Sequence, residues 1–416
     1  MSHPKTRRIY IGVDTHKHSH TAVFINCFNE KLGEITFDNR PSAFPELLEE
    51  VKKHVKKGIG TAYGLEDTGS AGRSLAAFLL ENRKTVKKVN SNLTYNERKK
   101  LPIMHKTDSF DAQCIAKVLL DNFDELPDAD LHDIYWTLRM LTGRRTSIVK
   151  SNVALKQQLH SYIVQHYPSY RKFFSVFDCK SAMEFWENYP SPKVLAGTTV
   201  ETLAALLYEH SDSFFGEAKA RQILELVEQD GDTTTEFQES RDFLVATCIR
   251  QVKQNDREIE NIEAEMQKLM SQLGYKLETF IGIELVTAAG FVAEIGDIGR
   301  FADANKLAKY AGIAPVTYSS GQSDKKFKNS QGNRTLYHLF HSLAARNINR
   351  GRNKDKPVND IFYDYYTKKI SEGKTEPQAL ICVMRRLVNI IYGMMKTRTE
   401  YVHPKVEKTL DTSAEK

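Results

Sequence analysis

The stretch Ile9-Tyr10-Ile11-Gly12-Val13-Asp14 is a short run of β-branched and aromatic residues that ends on an acid. Such a run is typical of a buried β-strand. Two similar runs follow after turn-like polar stretches, Thr21-Ala22-Val23-Phe24-Ile25 and Glu34-Ile35-Thr36-Phe37. Their close spacing predicts a meander of three antiparallel strands at the start of the fold.

The segment after this meander alternates between helix and strand patterns. Apolar residues at helical spacing behind Pro41 and Ser42 predict a helix over 41–54. The following elements are predicted as a buried strand at 61–65 that ends at Glu66, a helix at 71–82, a strand at 85–89, a basic loop, and a helix from Asp108 to Leu120. The order β-β-β-α-β-α-β-α is that of an RNase H-like domain, so we predict this α/β fold for residues 1–128.

The middle of the chain carries two runs of apolar residues at alternating steps of three and four. The first comprises Ile134, Leu138, Leu141, Ile148, Leu155, Leu159 and Tyr162, and the second Val245, Ile249, Val252, Ile259, Ile262, Met266, Leu269 and Leu273. This heptad pattern predicts two long helices that pair as an antiparallel hairpin or form a seam between subunits. The insert from Tyr167 to Gln238 predicts short helices joined by loops. We expect a helical, coiled-coil connector over residues 129–276.

The last third of the chain is predicted to be mainly helical. Glycines between apolar stretches at 280–283 and 294–299 resemble helix-hairpin-helix turns, which can offer backbone N–H groups to phosphate. We expect a compact domain over residues 277–400, followed by a polar tail at 401–416.

The overall composition is that of a globular protein with a small basic excess. The 416 residues include 59 Lys and Arg against 53 Asp and Glu, a net charge of +6, with 41% apolar residues. The length predicts about three domains. No apolar run approaches the roughly 18–20 residues of a membrane span, and no signal peptide is recognisable. Five scattered cysteines fit neither a disulfide framework nor a zinc site, so we expect a cytoplasmic protein.

Four carboxylates stand out by their placement. Asp14 and Glu66 each end a predicted core strand, where side chains project into the crevice at the sheet edge. Asp108 and Asp111 are three apart at a helix start and therefore share one helical face. Converging acids repel unless cations lie between them, and paired Mg²⁺ ions about 4 Å apart are usual in phosphodiester chemistry. Alternatively, Asp108 only caps its helix; Asp67 is expected to point away from Glu66.

The histidines at positions 16, 18 and 20 imitate a metal cluster. Cysteine or histidine at matching ligand spacing is missing elsewhere in the sequence, so a zinc site is disfavoured. We interpret His16, His18 and His20 as polar loop residues.

A second candidate site lies at Pro315-Val316-Thr317-Tyr318-Ser319-Ser320-Gly321. Two small residues before a glycine let the backbone approach a phosphate and expose a hydroxyl for attack. Residues 325–356 carry one acid, Asp355, and nine cations, a local net charge of +8: Lys325, Lys326, Lys328, Arg334, Arg346, Arg350, Arg352, Lys354 and Lys356. This density favours a polyanionic partner such as nucleic acid. The alternative is a Ser-rich turn beside a solvated helix. The sequence lacks a Gly-x-Ser-x-Gly elbow and a Walker P-loop, which disfavours esterases and NTPases.

Several motifs together resemble a known family. The segments Gly-Val-Asp-Thr-His-Lys at 12–17, Leu-Glu-Asp-Thr-Gly at 65–69 and Lys-Thr-Asp-Ser-Phe-Asp-Ala at 106–112 resemble the DEDD tetrad of a RuvC-like domain. Tyr-Ala-Gly-Ile-Ala-Pro at 310–315, Ser-Ser-Gly at 319–321 and Gly-Asn at 332–333 resemble the C-terminal domain of the same proteins. These are the insertion-sequence-110 family transposases, also called bridge-RNA-guided recombinases, which include the Piv-type DNA invertases.

The resemblance implies a recombinase that cuts and rejoins double-stranded DNA under the guidance of a bridge RNA. It implies Mg²⁺ held by Asp14, Glu66, Asp108 and Asp111, and Ser320 as the nucleophile of a covalent phosphoserine–DNA link. Active sites of the family are composite between protomers, so a homodimer or homotetramer is expected. Nucleic-acid contacts are expected from the basic residues Lys325, Lys326, Lys328, Arg334, Arg346, Arg350 and Arg352.

Some points stay open at the level of sequence. Family members often carry an arginine where Tyr337 stands, and Ser319 is an alternative nucleophile beside Ser320. A RuvC-type nuclease or junction resolvase that uses water would share the four carboxylates without needing a serine. A catalytically silent nucleic-acid-binding protein is the third alternative.

Overall fold

The computed structural model describes residues 4–66, 68–100, 107–129, 133–314, 316–320, 323–327, 332–350 and 356–403, with backbone alone for 316–320 and 323–327. The chain folds into two compact units, Met1–Trp136 and Thr137–Lys416. The first unit contains residues 1–128, for which the α/β domain was predicted; the predicted domain bounds stay a prediction. The further division of the second unit into a connector and a C-terminal domain stays a prediction.

The first unit is built on a five-stranded mixed sheet in the order β3-β2-β1-β4-β5. β1, β2 and β3 are antiparallel, as the predicted meander requires, and β4 and β5 run parallel to β1. The elements in chain order are β1 (Arg8–Thr15), β2 (Ser19–Ile25), β3 (Lys31–Asp38), α1 (Phe44–His54), β4 (Gly60–Leu65), α2 (Arg73–Glu81), β5 (Thr85–Lys88), α3 (Ser91–Arg98) and α4 (Asp108–Asp121). The predicted element order is confirmed, and α3 occupies part of what was predicted as a basic loop.

Helices cover both faces of this sheet, which explains why β1 is apolar at nearly every position. Its residues Ile9, Ile11 and Val13 pack against α1 and α2, within a core that includes Phe44, Leu47 and Leu79. On the other face Tyr10 packs with α4, within a core formed by Ala112, Ile115, Ala116 and Leu119. Because side chains alternate along a strand, the even-numbered positions of β1 face α4.

The second unit contains the two predicted long helices. They are α5 (Asp133–His166), which begins in the first unit, and α11 (Gln238–Leu273). Arg145 donates to Glu263, and Asn152 donates to Asp256, so positions on one helix rise as those on the other fall. The helices therefore lie antiparallel within one chain. The supercoil of a coiled coil and a seam between subunits stay predictions.

Between these helices, the insert forms short helices as predicted. They are α6 (Tyr170–Phe173), α7 (Lys180–Asn188), α8 (Pro192–Leu195), α9 (Val200–Glu209) and α10 (Glu217–Asp230). Their core is aromatic and centres on Trp186, which contacts Tyr167, Phe173, Phe174, Phe177 and Phe185. The same core includes Leu159 of α5 and Val245 of α11, so the insert is packed onto the helix pair.

In the described residues that remain, the second unit is helical apart from one hairpin. Its elements are α12 (Leu285–Ile295), α13 (Ala304–Tyr310), β6 (Val316–Ser320), β7 (Ser323–Phe327), α14 (Arg334–Ile348), α15 (Asp360–Ser371) and α16 (Glu376–Thr397). β6 and β7 pair antiparallel. Neither sequence interpretation of this region, as a serine site or as a Ser-rich turn beside a solvated helix, included the two strands, because both strands consist mainly of polar residues.

One expectation about apolar segments needs correction. By length and composition, α16 is long and apolar enough to cross a membrane, and 44% of its most apolar window is buried. Its buried residues recur at helical spacing, among them Val383, Leu387 and Ile391. Arg385 lies between them and donates to the backbone oxygen of Ala304. The charged residues on one face of α16 interrupt the run of apolar residues in the sequence. The sequence analysis therefore did not identify α16 as a long apolar helix.

Candidate functional site

The acidic site is built where β1 and β4 end. Asp14 belongs to the even-numbered set of β1 and therefore lies on the α4 side of the sheet. β1 and β4 are paired up to Val13 and Leu65, so Asp14 and Glu66 follow at adjacent strand ends. Asp67, which was expected to point the other way, lies outside the described residues.

Helix α4 brings the other two acids to this edge. Its N-cap is Thr107, whose hydroxyl accepts a hydrogen bond from the backbone N–H of Phe110 over 3.2 Å. Asp108 is the first helical residue, so the alternative that Asp108 serves as the cap is wrong. Asp108 and Asp111 both lie in the first turn, where the partial positive charge of the helix N-terminus favours anions.

His16 joins the acids, which the sequence interpretation did not foresee. Its Nε2 lies 3.1 Å from Asp14 Oδ2 and 3.4 Å from Asp108 Oδ1. The prediction of polar loop residues is correct for His16 and His18 but wrong for His20. That residue is buried in β2, where its ring packs against Phe37. A sequence signal for His16 did exist, since it stands two residues after the strand-ending Asp14.

Asp111 is the most buried of the four acids, at 8% exposure. Its Oδ2 forms an ion pair with Arg98, the last residue of α3, whose Nη1 lies 2.9 Å away. Its Oδ1 is buried and lacks a hydrogen-bond partner among the described residues. One oxygen of this carboxylate is therefore available to a ligand.

The electrostatics of the site show that the other three acids act on Asp14. Burial raises the pKa of the Asp14 carboxyl above its ordinary value, and the negative charges of Asp111, Asp108 and Glu66 raise it further, while His16 opposes them. An ionised Asp14 is therefore unfavourable unless a positive charge enters the site.

These residues fit a divalent cation. The ligand atoms of Asp14, His16 and Asp108 lie within 4.8 Å of one another, and the buried Oδ1 of Asp111 lacks a partner in the described part of the chain. Carboxylate oxygens are the ligands that Mg²⁺ and Mn²⁺ prefer. The assignment of Asp14, Glu66, Asp108 and Asp111 as metal ligands remains a prediction.

The candidate serines lie on the hairpin of the second unit. Ser319 and Ser320 are the last two residues of β6, opposite Asp324 and Ser323 of β7. Ser320 is thus the residue at which β6 ends. Lys325 and Lys326 follow on β7.

A compact set of contacts holds the start of α14 against α12 and the end of α13. The Asn333 side chain caps α14 by accepting from Leu336 N–H over 2.9 Å, and it donates to Glu294 at 2.5 Å and to the Tyr310 hydroxyl at 3.3 Å. A Cβ on Gly332 would come within 2.7 Å of Gly312 N. The two motifs at 310–315 and 332–333 therefore meet, which gives the resemblance a structural basis.

The hydroxyl of Tyr310, at the end of α13, has a shifted pKa. Burial acts to raise the pKa of Tyr310, but the positive charge of Arg300 and the hydrogen bond from Asn333 lower it, and the net pKa lies below its ordinary value. The Arg300 guanidinium lies 4.7 Å from the Tyr310 ring centroid. A neighbouring cation and a hydrogen-bond donor therefore stabilise the phenolate form of this buried tyrosine.

The predicted nucleic-acid-binding residues differ in their surroundings. Arg334 is exposed at the start of α14 above the ring of Tyr337. Arg346 pairs with Glu284 at 2.9 Å, and Arg350 donates to Tyr363 at 2.9 Å. Lys328 and Arg352 lie outside the described residues. The role of all these residues in binding stays a prediction.

The glycine turns predicted to contact phosphate are present. Gly282 has a φ of +90° just before α12, and Gly296 has a φ of +66° just after it. The Ile281 carbonyl of the first turn accepts a hydrogen bond from Asn347 of α14 over 3.2 Å. This turn is therefore packed against α14, and DNA contact there stays a prediction.

Comparisons with known proteins match two separate regions of the chain. Residues 11–168 match a transposase family model designated DEDD_Tnp_IS110. Residues 274–358 match a second model, described as transposase, IS116/IS110/IS902 family. Together the two matches span more than half of the chain. They coincide with the two regions whose motifs carry the resemblance.

Similarity to individual proteins extends over nearly the whole length. The chain is 26% identical over 399 residues to an uncharacterized 44.8 kDa protein of the insertion element IS116 from Streptomyces clavuligerus, covering 94% of this chain and 95% of the relative. It is 23% identical over 394 residues to the pilin gene-inverting protein of Moraxella bovis, and the match covers 94% of this chain and 96% of that relative. The similarity to DNA-inverting proteins expected from the motifs is thereby confirmed.

Proposed function

Because the chain belongs to the IS116/IS110/IS902 family of transposases, we propose that it recombines DNA with a metal-bound acidic centre and a serine nucleophile. The membership makes the protein a DNA transposase or recombinase. The proposal concerns its chemistry, its guide and its assembly.

The acidic centre in the first unit carries the proposal. The close approach of the Asp14, His16 and Asp108 ligand atoms supports a divalent site, to which Asp111 and Glu66 contribute. Bound Mg²⁺ would stabilise charge on the attacking and leaving oxygens of a phosphodiester. Without a cation the same acids would repel the DNA backbone.

The proposed serine step exchanges one phosphoester bond for another and therefore needs no external energy source. The Ser320 oxygen forms a bond to phosphorus while the bond from phosphorus to a deoxyribose oxygen breaks, and the serine proton ends on that oxygen as a free hydroxyl. The hydroxyl of an exchanged strand then reverses the step and releases the serine. The position of Ser320 at the end of β6 supports this role, and Lys325 and Lys326 follow farther along the same hairpin, opposite Tyr318 and Thr317.

The decisive experiment is a covalent-adduct assay on a labelled duplex that carries the end of the mobile element. We expect a DNA-linked protein band with the unaltered chain and with Ser319→Ala, but not with Ser320→Ala. An adduct that survives Ser320→Ala and disappears in Ser319→Ala would assign the nucleophile to Ser319.

The second candidate function is a RuvC-type nuclease or junction resolvase, because the acidic centre alone is sufficient for it. Cleavage that persists in both serine variants, with free ends and without an adduct, would favour this function. Loss of all cleavage in Asp14→Asn is expected under both candidates and serves as the control for metal dependence.

We further propose that a bridge RNA selects the DNA sites and that the protein works as a homodimer or homotetramer in the cytoplasm. Lys325, Lys326, Lys328, Arg334, Arg346, Arg350 and Arg352 would contact nucleic-acid phosphates. Mixing Asp14→Asn protein with Ser320→Ala protein tests the composite site, because activity returns only if acids and serine come from different protomers. Omitting the RNA from the reaction is expected to abolish site selection.

A further inference from the structure

The end of α3 contacts the acidic centre directly. Arg98 Nη1 lies 2.9 Å from Asp111 Oδ2, and the Arg98 side chain is 24% exposed. The other oxygen of Asp111 is buried and lacks a hydrogen-bond partner within the described ranges. Such an oxygen is unfavourable in an empty site and gains from any ligand that reaches it.

A separate ion pair fastens α3 to α4 without touching the acids of the centre. Glu97, 8% exposed, lies 2.7 Å from Lys117 of α4 and 2.5 Å from Lys100. Helix α3 therefore has an anchor that is independent of Arg98. This makes it possible to separate the docking of α3 from the contact with Asp111.

We propose that Arg98 is a positioning residue for the metal site, holding Asp111 by Oδ2 so that Oδ1 is presented to the cation. The planar guanidinium can fix a carboxylate in one orientation, which a flexible lysine ammonium does less well. Groups that orient metal ligands in this way typically change metal affinity 10–100-fold when they are removed. The inference rests on the proposed metal-dependent function and adds a residue to it.

The test measures Mn²⁺ binding to the full-length protein without DNA, from the loss of the free-ion signal in electron paramagnetic resonance. In Arg98→Met we expect the affinity to fall about 10–100-fold, and in Arg98→Lys we expect an intermediate value. Lys117→Met is the matched control, since it breaks another ion pair between α3 and α4, to Glu97, and is expected to leave the affinity unchanged. Thermal unfolding without metal is recorded for each variant.

The outcomes separate a positioning role from a structural one. An unchanged affinity in Arg98→Met, or an equal loss in Lys117→Met, would overturn the proposal. A rise in affinity would also overturn it, because Arg98 would then compete with the cation. If Arg98→Met does not fold, Arg98→Lys decides in the same way, with an affinity equal to that of the unaltered protein counting against the proposal.

Failure of the metal-dependent function itself is recognisable in the same experiment. If the unaltered protein binds no Mn²⁺, or if Asp14→Asn binds it equally well, the acidic centre is not the metal site. The proposed function then fails, and the role of Arg98 fails with it. If the unaltered protein binds and Asp14→Asn does not, only the Arg98 variants decide.

Discussion

Gly12 of β1 and Gly64 of β4 are direct neighbours in the parallel register of the sheet, and α4 packs over both. A Cβ on Gly12 would overlap the backbone of Ala112 and Ala116 in α4. A Cβ on Gly64 would lie 3.3 Å from the Leu119 side chain. Because glycine has no side chain, the helix that carries Asp108 and Asp111 can approach the strand that carries Asp14.

The first prediction concerns Gly12→Ala. We expect the free energy of unfolding of the first unit to fall by about 1–3 kcal/mol or more, because the backbone of α4 must move. DNA cleavage should fall further than stability alone explains, since Asp108 and Asp111 move with the helix. Denaturant unfolding and a cleavage assay measure the two effects.

Gly60→Ala is the control for this prediction. Gly60 lies in β4, and the nearest atom to an added Cβ would be the Arg7 carbonyl oxygen at 3.6 Å, an ordinary contact. This variant should retain both stability and cleavage. Equal behaviour of the Gly12 and Gly60 variants would contradict the close-packing argument.

The second prediction concerns Asp14→Asn and its opposite effects on stability and activity. Since burial and neighbouring acids raise the pKa of Asp14, its ionised form destabilises the cation-free protein at neutral pH. The amide should therefore raise the melting temperature without divalent ions, while cleavage is lost. Added Mg²⁺ or Mn²⁺ should stabilise the unaltered protein more than the variant.

Asp38→Asn serves as the control, because Asp38 is exposed and pairs with Arg40 at the end of β3. It should leave both the melting temperature and its response to metal nearly unchanged. A lower melting temperature of cation-free Asp14→Asn would show that Asp14 is stabilised by contacts within the protein instead.

The sheet of the first unit was predictable from sequence because its strands are short and are separated by turn residues or helices, and because β1 and β2 at its centre are rich in buried apolar residues. Helix α3 was not, because the two residues that it buries, Thr94 and Glu97, are polar. The Glu97 site is completed by Lys117, which is distant in sequence, so local pattern cannot reveal it. The β6–β7 hairpin was missed for a similar reason, since its strands contain serines and lysines in place of alternating apolar residues.

The sequence indicated the four acids of the site but not the contacts that they make with other residues. Strand ends and helix starts indicated Asp14, Glu66, Asp108 and Asp111. The bridge from His16 to Asp108 and the pair Arg98–Asp111 depend on how α3 and α4 dock on the sheet. Glycine at position 12 permits that docking, yet a glycine in a strand has several possible meanings until the helix above it is known.

The third prediction concerns Asn333, which contacts Glu294 and Tyr310; the serine hairpin lies between Tyr310 and Asn333 in the sequence. Asn333→Ala removes the cap of α14 and the donors to Glu294 and Tyr310. We expect the free energy of unfolding to fall by about 1–3 kcal/mol, together with a loss of adduct formation by the serine hairpin. Denaturant unfolding and the adduct assay measure these effects.

Two further variants separate the functions of the Asn333 side chain. Asn333→Asp keeps an oxygen for the cap but places a carboxylate beside Glu294, so it should also be destabilising. Asn349→Ala, at the exposed far end of α14, should be nearly neutral. A stable Asn333→Asp variant would show that the cap matters and the contact with Glu294 does not.

The last prediction concerns the pH dependence of the α3 anchor. Burial acts to raise the pKa of Glu97, but the hydrogen bonds from Lys100 and Lys117 outweigh it, and the pKa lies below the ordinary value of 4.5. An acid with a lowered pKa stabilises the fold above its unfolded-state pKa and loses that contribution as the pH falls through the folded-state value. Glu97→Gln should therefore be less stable than the unaltered protein at pH 7, and the difference should shrink below about pH 4.5. Unfolding free energies measured across this range test the prediction, with exposed Glu49→Gln as the control. A difference that stays constant with pH would mean that Glu97 contributes by packing and not by its charge.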